Sequence, residues 1–114
     1  MPKYLITGSY SRESMASMVQ SPEDRTAQAR RLVENVGGKL ECFYWAFGPD
    51  DFVAIAELPD DIAAGAVSMA VSAAGTGAPR TVKLITADEA QAMLRKAKDA
   101  ASGYVRPGAA TAAR

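Results

Sequence analysis

The stretch of sequence that decides the fold runs from Lys39 to Glu57 and reads KLECFYWAFGPDDFVAIAE. Two runs rich in aromatic and β-branched residues flank a Gly-Pro-Asp-Asp turn, a composition typical of a β-hairpin. Because side chains alternate along a strand, the first run is apolar on both of its faces. The two predicted faces are Leu40, Cys42, Tyr44 and Ala46 on one side, and Phe43, Trp45 and Phe47 on the other. A strand that faces water carries polar residues there, so we predict that helices of the chain cover one face and that a partner subunit or a ligand covers the other.

One strand and one helix are predicted before the hairpin. Residues 3–10 have a strand pattern in which Gly8 suggests a bulge or a close backbone approach. Residues 11–20 form a polar connection with a short helical turn, which could act as a flap over a neighbouring cavity. The following helix is predicted to begin with Ser21-Pro22, as N-cap and first residue, and to end at Gly37-Gly38.

Two helices and one strand are predicted after the hairpin. Asp60 or Asp61 caps a helix that runs to about residue 74. A flexible loop at residues 75–78 leads to a strand at residues 80–86. The last helix begins with a capping box formed by Thr86 and Glu89.

The order of these elements is β-α-β-β-α-β followed by one further helix, and it predicts an α+β fold of the ferredoxin-like type. In that fold four antiparallel strands form one sheet and the helices cover one of its faces. Residues 1–101 are predicted to form a single domain, and residues 102–114 a disordered tail. The bare sheet face, together with a helix after Asp60 that is apolar nearly all round, predicts a homo-oligomer in which two sheets pack face to face.

The composition argues against several classes of function. Thirteen basic residues balance thirteen acidic ones, so no net charge favours nucleic acid or an anionic membrane. The sequence contains no histidine, which removes Ser-His-Asp catalysis and His-ligated zinc, and we predict neither a metal nor a cofactor. A single cysteine and the lack of a signal-peptide pattern or an apolar run of about 20 residues predict a cytoplasmic protein that does not span a membrane.

Six short motifs, taken in order, make the sequence similar to the GYD-domain family of small bacterial proteins. The motifs are Ser21-Pro22-Glu23, Gly37-Gly38-Lys39, Phe43-Tyr44, Gly48-Pro49-Asp50-Asp51-Phe52, Pro59-Asp60-Asp61 and Arg80-Thr81. The resemblance covers about residues 3–98 and implies the architecture of the dimeric α/β-barrel superfamily. Asp50 stands where the naming motif of the family has a tyrosine, so any function of that tyrosine is missing here. The resemblance implies no settled activity.

Four aromatic residues and one lysine are candidates for a ligand cavity against the open face of the sheet. Tyr4, Tyr10, Trp45 and Phe47 could line a pocket for a flat hydrophobic molecule, with Lys83 as a charge at its edge. The alternative is that these aromatic residues form the subunit interface, where such residues are enriched. Both interpretations hold if the interface retains a pocket.

Asp51 and Arg80 are the candidate polar residues. Asp51 follows Asp50, and two neighbouring carboxylates can divide the roles of acid and base. Alternatively both stabilise a tight turn, with Asp51 accepting backbone N–H groups. Arg80 could bind a carboxylate or phosphate with its planar guanidinium group, or form an ion pair with Asp51 or another acid.

Two classes of function therefore remain open. The first is a non-catalytic oligomeric module that binds a small hydrophobic or anionic molecule, or engages a partner. The second is a cofactor-free enzyme, of monooxygenase, isomerase or degradative type, acting on an aromatic or polyketide-like compound, by analogy with the wider superfamily. The missing histidine argues against the enzyme, although Tyr, Asp, Arg and Lys can transfer protons. The sequence assigns no catalytic residue.

Overall fold

The computed structural model describes residues 1–109 of the chain. The chain divides into two compact units, Met1–Leu84 and the segment from Ile85 onward. The first unit contains four strands and three helices, and the second contains one helix within its described residues, 85–109.

The first unit is built on one antiparallel sheet. Its elements in chain order are β1 (Lys3–Tyr10), α1 (Arg12–Gln20), α2 (Thr26–Asn35), β2 (Lys39–Trp45), β3 (Phe52–Glu57), α3 (Asp61–Ala73) and β4 (Gly77–Leu84). The strands are arranged in the order β2-β3-β1-β4, and every neighbouring pair is antiparallel. This is the strand order of a ferredoxin-like βαββαβ fold, so the predicted fold class is confirmed, with α1 as an additional helix between β1 and α2.

The hydrophobic core lies on the face of the sheet that α2 and α3 cover. Alternate residues of β1 and β3 point into it, because side chains alternate between the faces of a strand. The buried cluster consists of Tyr4, Ile6, Val33, Leu40, Phe52, Ala54, Ala56, Leu58, Ala63, Ala64 and Val67. Alanines on both α3 and β3 allow the helix to approach the sheet closely, and Ser68 of α3 hydrogen-bonds to Thr81 of β4 over 3.1 Å.

The opposite face of the sheet, which we call the open face, carries a band of apolar side chains. The strand register places on this side Leu5, Cys42, Tyr44, Val53, Ile55 and Val82. Tyr44 is 65% exposed and Val82 is 54% exposed. Large apolar side chains exposed to this degree on neighbouring strands indicate a surface that is able to take part in an interaction.

A β-bulge interrupts β2. Leu40 is paired with Ala56, and Cys42 is paired with Ile55, the next residue of β3. Glu41 is therefore an extra residue in β2. A bulge of this kind sets two residues of one strand opposite one residue of its partner.

The bulge corrects the predicted faces of the hairpin. Leu40 lies on the core face together with Phe43 and Trp45, whereas Cys42 and Tyr44 lie on the open face. The prediction that placed Leu40 with Cys42 and Tyr44 is wrong, because it counted Glu41 as a regular strand position. A shift of one residue in the strand register moves every following side chain to the other face of the sheet.

The hairpin turn is attached to the end of β1 through Asp51. The backbone N–H of Asp51 donates to the carbonyl oxygen of Gly8 over 2.8 Å, and its carboxylate Oδ2 accepts the N–H of Tyr10 over 2.9 Å. The N–H of Ala46 donates to the carbonyl oxygen of Asp51 over 2.8 Å and closes the turn. The interpretation of Asp51 as an acceptor of backbone donors is therefore confirmed.

Gly8 lies where β1 approaches its neighbours closely. A Cβ atom at this position would stand 2.6 Å from the carbonyl oxygen of Ala78 and 3.0 Å from the ring of Phe52. The pairing of β1 is regular on both sides of Gly8. Of the two predicted reasons for this glycine, the close backbone approach is thus the correct one.

Helix α2 begins later than the sequence predicts. Ser21, the predicted N-cap, is instead the C-cap of α1, and its N–H donates to the carbonyl oxygen of Ser17 over 2.8 Å. The first helical residue is Thr26, whose N–H donates to Oδ1 of Asp24 over 2.9 Å. The prediction is wrong because α1 extends through Gln20 and its last turn already uses the Ser21 amide. As a result Arg25, and not Ser21, is the N-cap residue of α2.

Strand β4 begins earlier than predicted, at Gly77, and ends at Leu84. Its first two residues, Gly77 and Ala78, pair with Tyr10 and Ser9, because β1 extends far enough to meet them. Pro79 is tolerated within the strand since β4 is an edge strand and its outer side needs no donor. The predicted loop at residues 75–78 is accordingly shorter.

Two predicted helix starts are confirmed. Asp60 caps α3, and its Oδ1 accepts the N–H of Ala63 over 2.9 Å. Thr86 and Glu89 form the predicted capping box at the start of α4 (Ala87–Ala100) in the second unit. The N–H of Glu89 donates to Oγ1 of Thr86 over 3.1 Å, and the N–H of Thr86 donates to Oε1 of Glu89 over 2.8 Å.

The chain after α4 continues as turns up to residue 109, with positive φ angles at Gly103 and Gly108. The predicted disordered tail spans residues 102–114, and its last five residues lie outside the described part of the chain. The disorder of the tail therefore stays a prediction.

Candidate functional site

An apolar cavity of about 90 Å³ lies in the first unit between the sheet and the helices α2 and α3. Its lining includes Ile6, Leu32, Phe43, Phe52, Val67 and Val71. The volume equals that of about three water molecules in the liquid. Because the lining is almost entirely apolar, the cavity suits a small apolar group better than water.

A second, more polar hollow of about 240 Å³ adjoins the cavity, and we call it the vestibule. Tyr10, Arg25 and Thr76 line both spaces, so they stand where the two meet. Helix α1 contributes to the vestibule the side chains of Glu13, Ser14, Ser17 and Met18. The predicted flap at residues 11–20 is thus a nine-residue helix that forms one wall of the vestibule.

A third hollow of about 260 Å³, which we call the outer groove, runs along α2 and also adjoins the cavity. Arg25 and Thr76 border it as well, together with Gln28, Leu32 and Val71, which it shares with the cavity. Its remaining lining comes from Arg31, Asn35, Ala70 and Ala74. Arg25 therefore stands at the junction of all three spaces.

Tyr10 is the titratable group at this junction whose pKa is altered. Burial raises the pKa of the Tyr10 hydroxyl, and the nearby Arg25 guanidinium lowers it by a smaller amount, so that the pKa lies above its ordinary value. The hydroxyl is therefore protonated near neutral pH and can donate a hydrogen bond. Arg25 also forms an ion pair with Glu23, with 3.4 Å between Nη1 and Oε2.

The structure brings three of the predicted site residues together. The rings of Tyr10 and Trp45 are 5.2 Å apart between centroids, and the Asp51 carboxylate holds the backbone of Tyr10. All three lie at the end of β1 that adjoins the cavity. The cavity is on the helix-covered side of the sheet, whereas the sequence predicted one against the open face.

Tyr4 and Lys83 lie at the other end of the sheet. Six residues along a strand separate Tyr4 from Tyr10 by about 20 Å. The Tyr4 hydroxyl donates to Oδ1 of Asp61, and Lys83 Nζ lies 3.5 Å from the same oxygen. This hydrogen bond raises the pKa of Tyr4 to about 12 and, with the Lys83 charge, lowers the pKa of Asp61. These two predicted site residues do not border the cavity.

Arg80 and Phe47 are also separate from the cavity. Arg80 is paired with Thr7 in the sheet and lies on the open face, where its guanidinium group forms an ion pair with Asp50. This is the structural alternative that the sequence left open for Arg80, with Asp50 as the acid. Phe47 is fully exposed in the hairpin turn.

Sequence reasoning missed the α2 residues that border the cavity. Neither Arg25, which borders all three spaces, nor Arg31, which borders the outer groove, was among the residues that the sequence predicted for a site. Gln28, Arg31 and Asn35 fall on one stripe of α2, spaced by three or four positions. The sequence of α2 gave no signal of a groove here, because the groove is completed by residues of α3.

No helix within residues 1–109 combines the length and the apolar character that crossing a membrane requires. In the same part of the chain, no three Cys, Asp or Glu side chains are grouped so that they could hold a metal ion.

Comparison with known proteins identifies a family. A family model described as the GYD domain matches residues 4–94, which begin in β1 and end within α4. No curated protein matches the sequence.

Proposed function

The chain belongs to the GYD domain family, and from this and its internal cavity we propose that it works as an oligomeric module that binds a small molecule. The observation that carries the proposal is the apolar cavity of about 90 Å³ at the junction with two hollows that are more polar than the cavity. Ligand sites in proteins combine an apolar lining with a few polar groups that orient the ligand. Tyr10 and Arg25 are such groups here.

The open face supports the oligomeric part of the proposal. Leu5, Ile55 and Val82 lie side by side across β1, β3 and β4, and Tyr44 extends the apolar band onto β2. A second copy of the chain presents the same band, so two copies can bury it by packing open face to open face. The ligand cavity lies on the other side of the sheet and stays accessible in such a dimer.

The alternative proposal is a cofactor-free enzyme that uses the same cavity. Tyr10 is the residue at the cavity that would serve as an acid or base. Since its pKa is raised, Tyr10 is a hydrogen-bond donor near neutral pH and a poor general base. Tyr10 is therefore better suited to hold a ligand by a hydrogen bond than to remove a proton from it.

The proposal is tested by native mass spectrometry of the purified chain, first under gentle and then under denaturing conditions. We expect an assembly of two or more copies that releases a small molecule on denaturation. Val71→Phe fills the cavity and should abolish retention of that molecule. Val19→Phe introduces the same ring on α1 at a residue that is 72% exposed, and it should have no effect.

Two results would overturn the proposal. One is a chain that is monomeric at micromolar concentration. The other is a ligand screen by thermal shift in which no compound distinguishes the unmodified protein from Val71→Phe.

A further inference from the structure

The vestibule and the outer groove differ in charge. The vestibule is bordered by Glu13 and Glu23 together with Arg25. The outer groove is bordered by Arg25 and Arg31, and its lining within residues 1–109 includes no acidic side chain. A cavity with an apolar interior thus opens, on the groove side, onto two cationic groups.

The polar residues of the groove are arranged along one side of α2. Gln28, Arg31 and Asn35 recur at intervals of three and four residues, which places them on the same stripe of a helix. Arg25 stands one turn before Gln28, and six residues separate Arg25 from Arg31, a distance of about 9 Å along the helix axis. Both arginine side chains line the outer groove, so both can reach one small anion bound in it.

We propose that the ligand of the cavity is a small organic anion, whose apolar part occupies the cavity and whose carboxylate lies in the outer groove against Arg25 and Arg31. This inference rests on the proposed function and adds the chemical class of the ligand. Gln28 borders both spaces, and its amide is placed to donate a further hydrogen bond to the carboxylate.

The present partner of Arg25 does not prevent this. Glu23 lies 3.4 Å from Arg25, and its side chain is 47% exposed. An ion pair so accessible to water contributes little free energy. A ligand carboxylate that binds a guanidinium group through two hydrogen bonds interacts more strongly than this exposed ion pair. Arg25 therefore exchanges Glu23 for the ligand at small cost.

The size of the cavity limits the apolar part of the ligand. A volume of about 90 Å³ is smaller than the cavity of about 150 Å³ that holds a benzene ring. It accommodates an aliphatic chain of about three or four carbon atoms, counting each carbon as roughly one water volume. Butyrate is therefore a suitable probe, with 1-butanol and butylamine as matched probes without the negative charge.

The test is a titration of the full chain with these three probes, followed by amide chemical shifts in NMR spectra. We expect butyrate to move the signals of cavity residues such as Val67 and Val71, and to bind about tenfold more tightly than 1-butanol. Arg31→Gln and Arg25→Gln should each lower the affinity for butyrate about tenfold and leave the affinity for 1-butanol unchanged. Glu23→Gln removes the carboxylate that competes for Arg25, and it should raise the affinity for butyrate.

The matched control is Arg30→Gln. Arg30 is adjacent to Arg31 and equally charged, but it acts on Asp24, whose pKa it helps to lower, and it borders none of the three hollows. Butyrate affinity should be unchanged in this variant. The spectrum of each free variant confirms that it is folded.

The outcomes separate the two proposals. If 1-butanol binds in the cavity as tightly as butyrate, the cavity is a binding site but the anion inference is wrong. If Arg30→Gln lowers the affinity for butyrate as much as Arg31→Gln does, the affinity depends only on the net charge of the protein, and the inference is also wrong. If no probe moves the signals of cavity residues, the inference and the proposed binding function both fail.

Discussion

The Asp51 carboxylate accepts a hydrogen bond from the N–H of Tyr10, and the N–H of Asp51 donates to the carbonyl oxygen of Gly8. A single residue of the turn therefore holds the last part of β1 in place. Both bonds are made at half-buried positions, where an unpaired donor is costly. The position of Tyr10 at the cavity follows from these bonds. The carboxylate that the sequence offered as a possible acid or base therefore has a structural role.

We expect Asp51→Ala to lower the free energy of unfolding by about 1–3 kcal/mol, because it leaves the N–H of Tyr10 without its acceptor. Asp51→Asn keeps a side-chain oxygen at the same position and should cost less. Urea denaturation followed by circular dichroism measures both changes. Equal stability of Asp51→Ala and the unmodified chain would show that water replaces the carboxylate without loss.

Asp61 should make stability depend on pH in the acid range. Its pKa is lowered first by the hydrogen bond from Tyr4 and then by the charge of Lys83. A carboxyl group with a lowered pKa stabilises the fold at pH values above its unfolded pKa of about 3.9, and this stabilisation is lost as the pH falls through the folded value. Asp61→Asn should therefore be less stable than the unmodified chain at pH 6, and the difference should shrink as the pH falls below about 3.9.

Melting temperatures between pH 7 and pH 2 measure this effect. Tyr4→Phe provides the control, since it removes the main cause of the lowered pKa and should reduce the effect of Asp61→Asn. A difference between Asp61→Asn and the unmodified chain that does not change with pH would contradict the explanation.

At the scale of the elements, the bulge in β2 makes a prediction about deletions. Removing Glu41 eliminates the extra residue, while Leu40 and Cys42 keep their partners and all side chains stay on their faces. Removing Tyr44 deletes another exposed residue of the same strand but turns Trp45 from the core face to the open face. We expect the first deletion to fold normally and the second to be strongly destabilised.

Trp45 is the single tryptophan of the chain and reports the result. Its fluorescence maximum should be unchanged after deletion of Glu41 and shifted to longer wavelength after deletion of Tyr44, because the ring leaves Tyr10. Loss of the exposed ion pair between Glu41 and Lys3 changes the stability little, because water screens the two charges. Two deletions with equal effects would contradict the register argument.

The elements that could be predicted from the sequence are those with local signals. Asp60 before α3 and the Thr86–Glu89 capping box mark helix starts within four residues, and both are correct. The bulge at Glu41 has no such signal, since this type of bulge needs no glycine and depends on pairing with β3. Ser21 carries a valid local signal, which the last turn of α1 overrides.

The candidate site was predictable only in part. Tyr10 was found because its aromatic side chain lies on the apolar side of a recognisable strand. Arg31 could not be found in this way, since the groove that it borders is completed by Ala70 and Val71 of α3, about forty residues further along the chain. Spaces formed between distant segments leave no pattern within either segment.

At the scale of the whole molecule, the open face predicts self-association. Tyr44→Asp places a charge within the proposed interface, where an unpaired buried charge is costly, and it should convert the assembly to monomers. Ile62→Asp makes the same change on α3 at a residue that is 83% exposed, and it should leave the assembly intact.

Size-exclusion chromatography with light scattering at micromolar concentration distinguishes these states. Dissociation by both variants to the same extent would mean that charge alone, and not the open face, controls assembly. An assembly that survives Tyr44→Asp would place the interface on another surface.

The contact between Asp51 and Tyr10 also bears on how long the native state lasts. It joins residues that are 41 positions apart, and contacts that close so long a loop tend to form late in folding. Asp51→Ala should then speed unfolding in stopped-flow experiments and leave the folding rate nearly unchanged. The same contact positions Tyr10 beside the cavity, so a molecule bound there would lengthen the lifetime of the folded chain. Its binding could then be detected from a slower unfolding rate as well as from the equilibrium between folded and unfolded chains.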